Sequence, residues 1–196
     1  MLTAAHCFAP SDTPGLLRAK AGATDIANQG KWTDIETIIV HKDFNPSTME
    51  NDIALVRLKS EPRGTPVALA SKSTKIDVGQ SLEVTGWGTT SEEGQGSRKL
   101  LMAEVPYVAN STCNEPASYN GAIGSGMICA GQREGGVDAC QGDSGGPLVW
   151  RTDEGPVLVG VVSFGIGCAR QLKYGIYTRV SDYRDWIAKN MAANSR

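Results

Sequence analysis

Several things are scarce in this sequence. Two histidines, His6 and His41, are the only ones in 196 residues, and aromatic residues make up 6% of the chain. No stretch approaches the roughly 18 consecutive apolar residues that a membrane-spanning helix requires. The longest candidate is Pro156–Phe164, so no membrane partner is expected. Lys and Arg, 19 together, are balanced by 21 Asp and Glu and never form a basic run. A nucleic-acid surface, which needs clustered cations to neutralise phosphates, is therefore not expected either. Without a Cys-x-x-Cys pair or a histidine cluster, the five cysteines do not read as a zinc site. There is no internal repeat and no low-complexity tract.

What is present suits a packed, β-rich protein. Hydrophobic residues reach 40%, enough for a buried core, and the length allows one domain or two small ones. Apolar or alternating runs rich in Val, Ile, Thr and aromatics recur at Ile35–Val40, Ile53–Leu58, Ser81–Trp87, Leu100–Val108, Pro147–Trp150, Val157–Phe164 and Gly175–Val180. Turn residues separate them, the pattern of a sandwich or barrel. The 23 glycines are spread evenly and mark turns and bulges rather than a linker. Ser60–Gly79 is the best candidate for a connection between two halves. After Val180 the period changes: Ser181 can cap a helix, Asp182 and Asp185 suit its first turn, and Tyr183, Trp186, Ile187 and Met191 share one face.

The chemistry concentrates in Asp138-Ala139-Cys140-Gln141-Gly142-Asp143-Ser144-Gly145-Gly146-Pro147. Glycines around Ser144 let the backbone turn sharply and approach a ligand closely. A nucleophilic serine needs that access, together with backbone N–H groups aimed at the oxyanion that forms on the attacked carbonyl. It also needs a base to take its proton. His41, in the polar turn Val40–Pro46, reads as a surface histidine. His6 lies among small residues in Leu2-Thr3-Ala4-Ala5-His6-Cys7, where an imidazole has room to reach a partner. Asp52 opens the apolar run Ile53–Leu58, and a carboxylate buried there would need a donor, which an imidazole N–H could supply. In isolation each residue has a plainer reading: a turn serine, a structural histidine, a capping aspartate.

Thr3-Ala4-Ala5-His6-Cys7, Asn51-Asp52-Ile53-Ala54-Leu55 and Gly142-Asp143-Ser144-Gly145-Gly146-Pro147, in that order, resemble the three signature blocks of the chymotrypsin-like serine proteases. The likeness continues through Gly86-Trp87-Gly88, Met127-Ile128-Cys129-Ala130-Gly131 and Gly175-Ile176-Tyr177-Thr178-Arg179-Val180. The resemblance implies an all-β fold of two six-stranded antiparallel barrels, the first incomplete, with a C-terminal helix. Residues 1–72 would form the first barrel, 73–180 the second and 181–192 the helix. Ser144 would be the nucleophile, His6 the general base and then acid, Asp52 the orienting carboxylate. The N–H groups of Gly142 and Ser144 would form the oxyanion hole, the family's own arrangement.

In trypsin-like members the position of Asp138 is the acidic floor of the pocket for the residue before the scissile bond. Gly165 and Gly175 match small pocket walls, and a desolvated carboxylate there selects Arg or Lys. Ala139 offers no hydroxyl, which leans the preference to Arg. Ser163-Phe164-Gly165 resembles the segment that pairs with substrate backbone as an added strand, with Phe164 in place of the more usual Trp. The expected partners are polypeptides with Arg or Lys before the cleaved bond, and protein protease inhibitors. An odd cysteine count leaves at least one unpaired, and the resemblance selects Cys113–Cys129 and Cys140–Cys168, leaving Cys7. Bridges imply an oxidising compartment and a secreted, extracellular enzyme. No cofactor or metal is expected: the segment Ala23–Lys31, where related enzymes hold calcium, has one carboxylate, Asp25.

Family members carry a segment before the His motif that completes the first barrel, pairs the cysteine after the histidine and supplies an α-amine for the acid before the nucleophile. Met1 stands five residues before His6, so the chain is expected to lack that segment and any signal peptide. Asp143, the activation-linked acid, would then be unpaired or its loop rearranged, with the Gly142 N–H turned away and the chain zymogen-like. Two other functions remain open on the sequence. One is a pseudoprotease or binding module on the same fold. The other is an esterase, whose Gly-x-Ser-x-Gly pattern Gly142–Gly146 fits, although Pro147 and a β-run follow rather than a helix.

Overall fold

In a computed structural model, residues 1–62 and 64–193 are described. The strands are β1 (Leu2–Thr3), β2 (Arg18–Ala21), β3 (Lys31–Val40), β4 (Ala54–Leu58), β5 (Ala68–Leu69), β6 (Ser81–Gly86), β7 (Leu101–Val108), β8 (Met127–Ala130), β9 (Pro147–Thr152), β10 (Gly155–Phe164) and β11 (Gly175–Arg179). They make an open sheet in the order β1-β4-β3-β2 and a second sheet in the order β11-β8-β7-β6-β9-β10-β5. Antiparallel pairing of β10 with β11 closes six of the latter strands into a barrel, and the short β5 adds to β10 in parallel. The fold is thus all-β, with an incomplete first barrel and a closed second one. The one-turn helix α1 (Asn110–Cys113) and the terminal helix α2 (Arg184–Ala193) complete it.

The barrel closes because its inward positions are large and apolar. Leu82, Val84, Val105, Ile128, Leu148, Val159, Val162 and Tyr177 fill one buried cluster, each such side chain contributing about 1.5–3 kcal/mol by leaving water. Gly160, where β10 shifts register against β9, allows the close crossing: a Cβ there would lie 2.9 Å from Cβ of Tyr177. A second cluster joins the two sheets, with Ala4, Ile53 and Leu55 against Leu158, Val161, Val180, Tyr183 and Ile187. This shared core sets β1 and β4 beside β10 and β11, and the site forms along that seam.

The terminal segment differs from the sequence expectation. Ser181 does not cap the helix; it lies inside a short 3-10 turn, Val180–Tyr183, that precedes α2. Tyr183 and Ile187 are buried as expected, but Met191 is 60% exposed. Its place near the end of α2 carries it past the edge of the core. His41 is not a plain surface histidine. Its ring packs edge-on against Tyr183, centroids 5.5 Å apart, and 5.1 Å from Trp186, and burial lowers its pKa. Disulfides join Cys113 to Cys129 and Cys140 to Cys168, and Cys7 is free and exposed.

Candidate active site

Strand pairing brings the first two candidate residues together. Leu2 and Thr3 of β1 pair with Leu55 and Ala54 of β4. The turn after β1, Ala5–Cys7, therefore meets the residues that lead into β4. The His6 backbone N–H donates to Asp52 Oδ1 at 2.8 Å, and ring Nδ1 lies 2.7 Å from Oδ2. A carboxylate only accepts, so Nδ1 carries the proton and Nε2 is left as the acceptor, the tautomer a general base needs.

Asp52 is fully buried, and residues beyond the expected triad help to satisfy it. Ser163 Oγ donates to Oδ2 at 2.5 Å, so His6, Asp52 and Ser163 are clustered about one carboxylate. Thr178 Oγ1 donates to the Asp52 carbonyl at 2.7 Å. Asn51, left-handed at φ 58°, accepts from the Tyr183 hydroxyl at 3.1 Å and donates to the Asp43 carbonyl at 2.9 Å. The sequence expectation places Ser163 only along the substrate strand. A signal for the second role is nonetheless present: a serine inside Val161-Val162-Ser163-Phe164 is a polar group in an apolar run, which burial obliges to find a partner.

Ser144 sits in a tight turn fixed to the same seam. The Gly145 N–H donates to the Val162 carbonyl and the Val162 N–H to the Gly146 carbonyl, each at 2.9 Å. Gly145, at φ 76°, has no room for a side chain: a Cβ would collide with Thr3 Oγ1 and lie 3.2 Å from both Ala4 N and Cys7 Sγ. The serine turn is thus pressed against the residues that flank His6. Among the described residues, the N–H groups of Gly142 and Ser144 donate to no protein acceptor. Asp143, by contrast, is not unpaired. Its Oδ1 accepts from the Gly88 N–H, just beyond β6, at 2.8 Å and its Oδ2 from the Cys140 N–H of its own turn at 3.0 Å; of the two expectations, an unpaired acid or a rearranged loop, the structure departs from the first.

Beside Ser144 opens a cavity of about 140 Å³, lined among others by Asp138, Ala139, Ser163, Phe164, Gly165 and Gly175. Asp138 lies in its wall, Oδ1 accepting from the Ala139 N–H at 2.8 Å and Oδ2 from the Ala169 N–H at 3.1 Å. Burial outweighs these donors and pushes its pKa up to about 6. Gly175 keeps the acid reachable, since a Cβ there would sit 2.6 Å from Asp138 Oδ1. The buried hydroxyl of Tyr177, another lining residue, has no hydrogen-bond partner among the described residues, and burial, then Asp138, raise its pKa well above the ordinary range. Phe164 packs edge-on against Tyr119, centroids 6.1 Å apart. A larger cavity of about 370 Å³, behind Asn51 between Glu50 and Asp182, contains neither His6 nor Ser144.

The trypsin family model matches residues 1–187. The chain belongs to the trypsin family. Among its relatives in Mus musculus, transmembrane protease serine 11E is 41% identical over 196 residues, covering 97% of this chain and 46% of that protein. Transmembrane protease serine 11C is 40% identical over 192 residues, 95% of this chain and 44% of that protein. Transmembrane protease serine 11G is 39% identical over 192 residues, 95% and 46% of the two. This trypsin-family chain spans less than half the length of the curated relatives it matches. Their names also overturn the expectation of a secreted enzyme, because they speak of membrane anchorage, and bridged cysteines require only an oxidising side of a membrane. No helix among the described residues is long and apolar enough to cross a membrane.

Proposed function

We propose that this trypsin-family chain is the cleaving unit of a serine endopeptidase that cuts peptide bonds after Arg or Lys. The observation that carries the proposal is the joining of two features at Ser144. On one side the serine turn packs against the His6 turn, whose imidazole is held by buried Asp52. On the other it shares a cavity with Asp138.

In the reaction, Ser144 Oγ attacks the substrate carbonyl carbon while His6 Nε2 takes its proton. The resulting imidazolium is stabilised by Asp52. The oxyanion is received by the N–H groups of Gly142 and Ser144, such donors being worth about 10²–10³ in rate each. His6 returns its proton to the leaving amine, and water then repeats the sequence on the acyl-enzyme. A guanidinium or ammonium in the cavity offsets the desolvation that keeps the Asp138 pKa high, whereas an uncharged side chain leaves the acid unpaired. Ala139 offers no hydroxyl to an ammonium, and this favours Arg. Phe164 and Gly165 would pair with the substrate backbone, protein inhibitors would dock on the same strand, and the relatives' names support a setting at a membrane.

An Arg-anilide assay tests the reading, with Ser144→Ala and a Leu-anilide as controls. Cleavage after Arg that Ser144→Ala abolishes is the expected result. Absence of cleavage with bound substrate would point to a binding module, and ester turnover alone to an esterase.

A further inference from the structure

The outer wall of the Asp138 cavity is irregular backbone. Between Phe164 and Gly175 the chain is without strand or helix, and three residues are left-handed, Gly167 at φ 72°, Ala169 at φ 54° and Leu172 at φ 60°. Left-handed Ala and Leu are unfavourable conformers that persist only when neighbours impose them. Some of those neighbours are covalent or backbone. Cys168 is bridged to Cys140, the Gly136 N–H donates to the Ala169 carbonyl, and the Leu172 N–H to the Arg133 carbonyl.

Side chains hold it too: the Ile166 N–H donates to the Tyr119 hydroxyl at 3.3 Å, the Ala169 N–H to Asp138 Oδ2 at 3.1 Å and Ser118 Oγ to the Leu172 carbonyl at 2.7 Å, and to these is added an ion pair. Arg170 reaches across 78 positions to Glu92, with Nε 3.0 Å from Oε2 and Nη2 2.8 Å from Oε1, a two-pronged pair of the stronger sort. The pair lies over Gly167: a Cβ on that glycine would overlap both the Arg170 and the Glu92 side chains. Glu92 belongs to the loop between β6 and β7. The same loop holds the nucleophile turn, since the Thr89 N–H donates to the Gln141 carbonyl at 2.8 Å and Thr89 Oγ1 to the Gln141 side chain at 3.2 Å.

We propose that Glu92 is a positioning residue for substrate selection: through its two-pronged pair with Arg170 it fastens the irregular cavity wall at Gly167 to the loop that also carries the nucleophile turn. The proposal rests on the reading of the cavity as the site for a basic side chain. Glu92 acts through Arg170 and touches no substrate. With the pair intact, the entering side chain meets a preformed wall. With it broken, binding has to order residues 165–172 first, and affinity falls in proportion to the fraction of open wall.

The test compares the whole chain with Glu92→Gln and with the charge-swapped Glu92→Arg/Arg170→Glu variant. Two readouts are taken: amide hydrogen exchange of residues 165–172, and calorimetric binding of benzamidine, a flat amidinium that mimics the arginine head group. Faster exchange confined to that wall, roughly two- to fivefold weaker benzamidine binding in Glu92→Gln, and recovery of both in the swapped variant are expected. Unchanged exchange in Glu92→Gln overturns the proposal, whatever benzamidine does, as does weakened binding that the swap fails to restore. If the wild-type chain ignores benzamidine while Glu92→Gln still loosens the wall, the basic-pocket reading falls and the strap stands.

Discussion

Replacing Asp138 by Asn isolates the cost of keeping an anion in the cavity. A carboxyl held at about 6 against an ordinary 3.8 reflects about 3 kcal/mol spent on keeping the ionised form there. Asn is nearly isosteric and never ionises. Its single acceptor oxygen keeps only one of the two backbone N–H partners, from Ala139 and Ala169, and the lost bond costs about 1 kcal/mol. The variant should therefore be more stable than wild type at pH 8 by about 2 kcal/mol. For a chain of this size that is a Tm rise of about 4–8 °C. The sign with pH follows from linkage. A raised carboxyl pKa means the folded state holds the proton more tightly, so wild-type stability climbs as pH falls from about 6 towards 3.8. The advantage of the Asp138→Asn variant should shrink over that window, cross zero at about pH 4.5 and turn into a deficit approaching about 1 kcal/mol at lower pH, where only the lost hydrogen bond remains. Calorimetric melting at several pH values measures it, and benzamidine binding should be lost throughout. An Asp138→Asn chain that melts at or below the wild-type temperature at pH 8, or whose gain is independent of pH, would show that Asp138 carries no such desolvation cost.

Other outcomes follow from the same geometry. Ser163→Ala removes a hydroxyl donor from the fully buried Asp52. It should lower kcat about tenfold or more with little change in KM, because the unmet demand falls on the imidazolium-forming step; steady-state kinetics on an Arg-anilide reads the split. Gly175→Val places carbon where a Cβ alone would already lie 2.6 Å from Asp138 Oδ1. Arg-anilide kcat/KM should drop at least about a hundredfold, with melting used to check that the fold persists. Thr178→Val leaves the buried Asp52 carbonyl without its hydroxyl partner and should destabilise the chain by about 1–3 kcal/mol in urea titration.

The parts of the site legible in the sequence are those written in local contexts. Glycines around Ser144, small residues around His6 and an acid at the mouth of an apolar strand each state a chemical demand within a few residues. The long strands are legible for the same reason, their alternation spanning five or more positions. What escapes is what the fold assembles across distance. Ser163 meets Asp52 over 111 positions, Thr178 over 126, and Tyr183 meets Asn51 over 132. No local spacing encodes such pairings. The four-residue β2 and two-residue β5 are too short to carry a period. His41 reads as a surface residue because a histidine in a polar turn gives no sign that Tyr183 and Trp186 will fold over it.

Ser144, served by His6 and Asp52, is the proposed nucleophile, and Ser163, hydrogen-bonded directly to Asp52, a proposed support. Treating the chain with a fluorophosphonate and mapping the adduct by peptide mass spectrometry decides between the two serines. A single adduct on Ser144 is expected, absent in His6→Ala and retained, more slowly formed, in Ser163→Ala. An adduct on Ser163, or labelling of Ser144 that does not depend on His6, would contradict it.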